Sequence, residues 1–141
     1  MSIRQWFFAS LAFLSLTAQN AAPSAFKVQD RYTKLEQYIN MRDGVKLFTS
    51  IYLPKDTSVN HPILFQRTPY SVAPYGPDTF RPSVGPSHSF DGEDYIYVYQ
   101  DVRGRWKSEG VFVDMNPVKL KKGPKDTDET TDTYDTIDWL I

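Results

Sequence analysis

YIYVYQDVRGRWKSEG, residues 95–110, joins two halves of opposite character. Tyr95, Ile96, Tyr97, Val98 and Tyr99 are all β-branched or aromatic. That composition favours a pleated strand, and with no charge on either face the strand suits cover on both sides. Beyond it, Asp101, Arg103, Gly104, Arg105, Lys107, Ser108, Glu109 and Gly110 form a polar loop punctuated by glycine. A buried strand that ends in a charged loop is how an open α/β sheet presents a site at its carboxyl edge. Asp101 and Arg103 are spaced for a carboxylate–guanidinium pair that fixes this loop. Ion-pair networks are common structural devices in loops, so the expectation is a loop that shapes a site without being catalytic.

Upstream, Leu35–Met41 and Val45–Tyr52 are strand-like runs joined by Arg42-Asp43-Gly44. Asp-Gly between apolar runs is a strong hairpin signal, because glycine takes the positive φ of a tight turn. Val45, Leu47, Thr49 and Ile51 alternate with Lys46, Phe48, Ser50 and Tyr52, which makes one face aliphatic. Residues 26–34 show no clean period and read as an irregular lead-in. Pro54 closes the second strand, Ile63-Leu64-Phe65 starts a third, and Gln66-Arg67-Thr68-Pro69-Tyr70 follows it. Residues 71–92 are rich in Pro, Gly and Ser, and an irregular loop of that length is usually functional or disordered.

Downstream, Val111–Asp114 reads as a brief extended piece and 115–126 as a solvated basic loop. Asp, Glu and Thr crowd 126–135, where they cap a helix start and suit the positive end of its dipole. Tyr134, Ile137, Leu140 and Ile141 then recur as one apolar stripe. The stripe meets no glycine, proline or basic turn before Ile141, so the chain is expected to be a truncated sequence.

The composition is globular, 40% hydrophobic with a net charge of -1 over 141 residues, enough for one modest domain. Near-neutral charge gives no electrostatic footprint for nucleic acid. The absence of cysteine excludes a disulfide framework, a thiolate metal site and a cysteine nucleophile. At the amino end, Arg4 precedes the apolar run WFFASLAFLSL (6–16) and then small and polar residues up to Ala25. That is the layout of a secretory signal, its apolar core too short to span a bilayer, with cleavage expected between Ala18 and Ala25. The mature chain, 26–141, is expected to be secreted or periplasmic and free of the membrane once the signal is removed.

Two antiparallel strands, a third, a fourth and a helix open an α/β-hydrolase-like sheet. Four blocks stand in that order: MRDGVKLFTSIYLP (41–54), PILFQRTPY (62–70), YIYVYQDVRGRWKSEG (95–110) and DTYDTIDWLI (132–141). Together they resemble the amino-terminal part of the X-prolyl dipeptidyl-peptidase, α-amino-acid ester hydrolase and cocaine esterase family of serine hydrolases, from about Leu35 to Ile141. The resemblance implies an incomplete α/β-hydrolase fold, with antiparallel first strands and then a parallel sheet. It implies a serine nucleophile in a Gly-x-Ser-Tyr-x-Gly elbow past Ile141, with the acid and histidine of the triad further on. No Gly-x-Ser-x-Gly occurs in the sequence, and His61 and His88 match no catalytic histidine of the family. Both are expected at the surface.

The resemblance also implies that Tyr70, in the Arg-x-Pro-Tyr block after the third strand, donates its hydroxyl to the oxyanion hole. One donor from the loop after that strand is the general layout of such enzymes. By composition alone Tyr70 reads as an ordinary packed loop tyrosine; the matching block is what assigns the role. The activity implied is cleavage of an ester or amide in a small-molecule or short-peptide substrate, without cofactor or metal. A fragment lacking the nucleophile is expected to be inactive as it stands. The alternative is a small secreted carbohydrate- or peptide-binding module without catalysis, which nine tyrosines, nine phenylalanines and a long Pro/Gly loop would suit.

Overall fold

The computed structural model describes residues 26–114, 116–120 and 123–141. The expected secretory segment, 1–25, lies outside the described residues, as do Met115, Lys121 and Lys122 of the basic loop. A single helical turn, α1 (Val28–Arg31), leads into β1 (Tyr32–Asn40). The lead-in is therefore ordered, and the strand starts earlier than its pattern suggests. Its period is hidden because Lys34 occupies a core position. The side chain is fully buried, and its ammonium donates to the carbonyls of Pro74, Gly76 and Thr79 at 2.6–2.9 Å. Glu36 accompanies it at 3.0 Å, so the buried charge is paired as well as hydrogen-bonded. These bonds tie the long loop to the sheet.

The hairpin to β2 (Lys46–Pro54) forms as expected. Met41 N–H donates to Val45 O at 2.8 Å, and Gly44 sits at φ +88°. β3 (Ile63–Thr68) and β4 (Ile96–Asp101) complete a four-stranded sheet in the order β1-β2-β4-β3. β1 and β4 both pair antiparallel with β2, whereas β3 pairs parallel with β4. The mixed α/β sheet agrees with the expected opening of the fold.

Each face of the sheet carries a different chemistry. Phe48, Tyr52, Tyr97 and Tyr99 line one face, packed with Tyr32, Val72 and Val84 under the loop of residues 71–92. The rings meet at tilted or edge-on angles, Tyr52 to Tyr99 at 5.9 Å and Tyr32 to Tyr97 at 5.8 Å. Leu47, Thr49, Ile51, Val98 and Gln100 are buried on the other. So β4 is covered on both sides, as the composition of 95–99 predicts, although it begins at Ile96 and runs on through Asp101.

Helix α2 (Glu129–Leu140) lies on that second face. Asp128 caps it: Asp128 Oδ1 accepts from Thr131 N at 2.9 Å, and Thr131 Oγ1 accepts from Asp128 N at 2.8 Å. The expected apolar stripe is not what packs. Tyr134 is 64% exposed, Ile137 44% and Ile141 92%. Asp132 and Thr136 are buried instead, with Glu129 and Thr133 on the same side through Arg67. The sheet dictates this, because it presents polar groups there. Gln100 Nε2 donates to Thr49 Oγ1 (3.0 Å) and Thr136 Oγ1 (2.9 Å), and its Oε1 accepts from Arg67 Nε (2.9 Å). Buried polar groups must be met by polar partners, and the helix turns the matching face inward.

Candidate active site

The carboxyl ends of β3 and β4 lie side by side, Thr68 opposite Asp101. Thr68 hands over to Pro69 and Tyr70, and Asp101 to the loop 102–110. Tyr70 is 85% exposed, and its phenol makes no hydrogen bond among the described residues. Its backbone, by contrast, is held from both sides. The carbonyl of the preceding Pro69 accepts Trp106 Nε1 at 2.8 Å and Arg105 Nε at 3.3 Å. Tyr70 N–H donates to Thr68 Oγ1 at 3.0 Å. Ser71 takes φ +81°, and Val72 N–H then donates to Asp101 Oδ1 at 3.0 Å. An exposed ring stands on a fixed turn.

Asp101 is fully buried. Its Oδ2 accepts the Tyr75 hydroxyl at 2.9 Å and the Lys107 N–H at 3.4 Å, and its carbonyl accepts Ser108 Oγ at 2.6 Å. Burial pushes the carboxyl above the usual carboxylate range, against the opposing pull of Tyr75 and the Lys107 and Val72 N–H groups. Burial also raises the Tyr75 phenol, so the hydroxyl keeps its proton. Lys107 places its ammonium 4.5 Å from the Tyr75 ring and 4.8 Å from that of Phe48.

The expected Asp101–Arg103 pair does not form. Asp101 turns to the turn after Tyr70, while Arg103 turns to the hairpin and the helix. Arg103 donates to Asp132 through Nη2 (2.7 Å) and Nε (3.0 Å) and to Asp43 through Nη1 (2.8 Å). Burial would lower the Arg103 pKa, but the two carboxylates raise it above its ordinary value. The physical reason is the reversal of the chain at Gly104, held at φ +68° with its N–H on Glu109 O at 2.9 Å. That reversal returns Ser108 and Glu109 to β2, where Ser108 Oγ accepts from Phe48 N at 2.8 Å. Residues 111–114 form no strand; Phe112 instead lies under the Arg105 guanidinium at 4.9 Å.

Both histidines sit apart from Tyr70. His88 is exposed in the long loop, 2.9 Å from Asp91, and His61 precedes β3 with Nε2 2.7 Å from Asp56 O. No group of three or more His, Asp or Glu gathers to hold a metal among the described residues. A hollow of about 450 Å³ runs over Leu64, Phe65, Gln66, Tyr97 and Tyr99. It flanks the middle of β3, at the margin of the described sheet, rather than the carboxyl end that leads to Tyr70. Trp106 and Tyr75 escaped the sequence reading. Trp106 carried a signal, being the one aromatic residue in an otherwise polar loop. Tyr75 carried none, because only the fold brings it to Asp101.

The sequence pattern of the X-Pro dipeptidyl-peptidase (S15 family) matches residues 43–141. The cocaine esterase of Rhodococcus sp. (strain MB1 Bresler) is 32% identical over 105 residues, which are 73% of this chain and 16% of that protein. An α-amino acid ester hydrolase superimposes with TM-score 0.61 at 37% identity, over 94% of this chain and 22% of its own. An aminopeptidase from a marine sediment archaeon, Thaumarchaeota archaeon, does so with TM-score 0.61 at 35% identity, over 95% and 22%. The chain thus spans less than a quarter of the length of these relatives. With its mixed sheet and all four sequence blocks in place, the chain belongs to the X-Pro dipeptidyl-peptidase (S15) family.

Proposed function

We propose that these residues are part of a secreted serine hydrolase that cleaves an ester or amide by acyl transfer to water, with Tyr70 as an oxyanion donor. The observation that carries the reading is the Tyr70 phenol, exposed and unbonded on a turn held at Pro69 and Val72. Attack on a carbonyl carbon moves negative charge onto its oxygen. A donor already in place stabilises that charge without reorganising, a contribution of about 3 kcal/mol for one well-placed group. The turn fixes the backbone, and the phenol, bonded to no other described group, is left to donate to the oxyanion.

The 141 residues contain no Gly-x-Ser-x-Gly, and neither histidine lies at the carboxyl edge. Nucleophile, histidine and acid would come from the additional chain that the relatives possess, and this stretch alone is inactive on that reading. X-Pro dipeptide amides and α-amino-acid esters are the substrate classes to test first, after the names of the family and its relatives. Secretion rests on the signal-like segment 1–25.

The test is Tyr70→Phe in the full-length enzyme. The ring stays and the donor goes, so kcat should fall on the order of a hundredfold with little change in KM. A mutant with wild-type kcat removes Tyr70 from the oxyanion hole. A fall in thermal midpoint that tracks the activity loss makes the hydroxyl structural.

A further inference from the structure

We infer that Asp101, acting through Val72 and Tyr75, is the positioning residue for Tyr70; the inference rests on the reading of Tyr70 as oxyanion donor. A ring that is 85% exposed receives little aim from its own surroundings. Its direction must come from the backbone that carries it, which is bonded at Tyr70 N–H to Thr68 Oγ1 and anchored on either side. Pro69 O is held by Trp106 and Arg105, and Val72 N–H by the Asp101 carboxylate. Between them Ser71 lies at φ +81°, a conformation unfavourable for a residue with a side chain, which persists only where the surroundings hold it.

Asp101 holds this segment at two points. Oδ1 accepts from Val72 N at 3.0 Å, and Oδ2 accepts from the Tyr75 hydroxyl at 2.9 Å. Tyr75 OH also lies 3.0 Å from Ser71 Oγ, whose other partner is Ala73 N at 3.1 Å. The residue at φ +81° is thereby tied to the same carboxylate through one hydroxyl. The carboxylate itself cannot drift, because it ends β4, is fully buried, and is bonded at its carbonyl by Ser108. A buried carboxylate is costly unless several donors meet it, and here the donors it collects lie mostly in the turn that bears Tyr70.

The distinction between positioning Tyr70 and merely supporting the fold is experimental. In the full-length enzyme with 4-nitrophenyl acetate as probe, a double-mutant cycle combines Tyr75→Phe with Tyr70→Phe, and Asp101→Asn with Tyr70→Phe. Tyr75→Phe keeps the ring against Phe48, edge-on at 5.4 Å, and removes only the hydroxyl. A misaimed donor costs rate rather than affinity, so Tyr75→Phe should lower kcat on the order of tenfold with KM unchanged. Asp101→Asn should lose at least as much. Neither change should cost further activity in the Tyr70→Phe background, where there is no hydroxyl left to aim. Equal fold-losses in both backgrounds overturn the inference and leave Tyr70 as donor. So does a wild-type kcat in Tyr75→Phe. Should Asp101→Asn fail to fold, the Tyr75→Phe cycle decides alone. A wild-type kcat in Tyr70→Phe by itself overturns the underlying reading and this inference with it.

Discussion

Arg103 meets Asp132 in a two-point pair, Nη2 to Oδ1 at 2.7 Å and Nε to Oδ2 at 3.0 Å. Through it the loop after β4 is fastened to α2, and through Asp43 the same guanidinium reaches the hairpin turn at 2.8 Å. Three segments distant in sequence are joined by one planar fork. Arg67 reaches Asp132 only at 3.5 Å, so it does not substitute for Arg103.

Arg103→Met should destabilise the protein by about 3 kcal/mol, because it leaves the Asp132 carboxylate nearly buried without its two-point partner. Arg103→Lys should recover only part of this, since an ammonium cannot serve both carboxylates with the same geometry. Chemical unfolding of the three proteins checks the order. A stability equal to wild type for Arg103→Met would remove the network from the account of the fold.

Thr136→Val tests the polar seam under α2. It deletes the acceptor for one Gln100 N–H in a site closed to water, at a cost of about 1–3 kcal/mol for the unsatisfied donor. The side chains are nearly equal in volume, so packing stays constant. An unchanged or raised thermal midpoint would show that the helix docks without need of this bond.

Gly104→Ala and Gly44→Ala form a contrast. Both glycines have positive φ, at +68° and +88°. A methyl group on Gly44 meets nothing within 4 Å, and its cost is conformational, about 1 kcal/mol. On Gly104 it would stand 2.1 Å from Phe112 N and 2.5 Å from Val111 C, which are backbone atoms that move only with the loop. Gly104→Ala should therefore be several-fold more damaging than Gly44→Ala by thermal melting. Equal losses would show that the loop yields freely.

Acid should act through carboxyl groups whose pKa values are shifted in opposite directions. Burial tends to raise Asp43 and Asp135, but the hydrogen bonds of Arg103 and Arg42 outweigh it and hold both below the ordinary value of 3.8. Their contribution is present above 3.8 and is lost as pH falls through the lowered folded values. Asp101 is raised, so the folded state binds its proton more tightly. Its contribution is greatest below 3.8 and is lost as pH climbs through the raised value. In a pH series of melting curves, Asp43→Asn should flatten the fall below 3.8. An acid limb identical to wild type would show that Asp43 takes no part in it.

The sequence by itself determined the elements whose cause is local. The Asp-Gly turn, a strand within 95–101 and the Asp- and Thr-rich helix start follow from neighbouring residues, because turns, caps and alternation are short-range effects, whereas the role of the Arg-x-Pro-Tyr block comes only from the family resemblance. Tertiary structure alone decided the partners of the charged and polar groups. Asp101 and Arg103 are two residues apart and would be matched by any local reading, yet, Lys107 N–H apart, their side chains bond to groups 26 to 60 residues away. Lys34 is a core residue because three carbonyls of a distant loop reach it. The apolar stripe of α2 lies outward because Gln100 and Arg67 put polar groups beneath the helix. Desolvation makes a buried polar group without a partner costly, and for these groups only the folded chain supplies the partner.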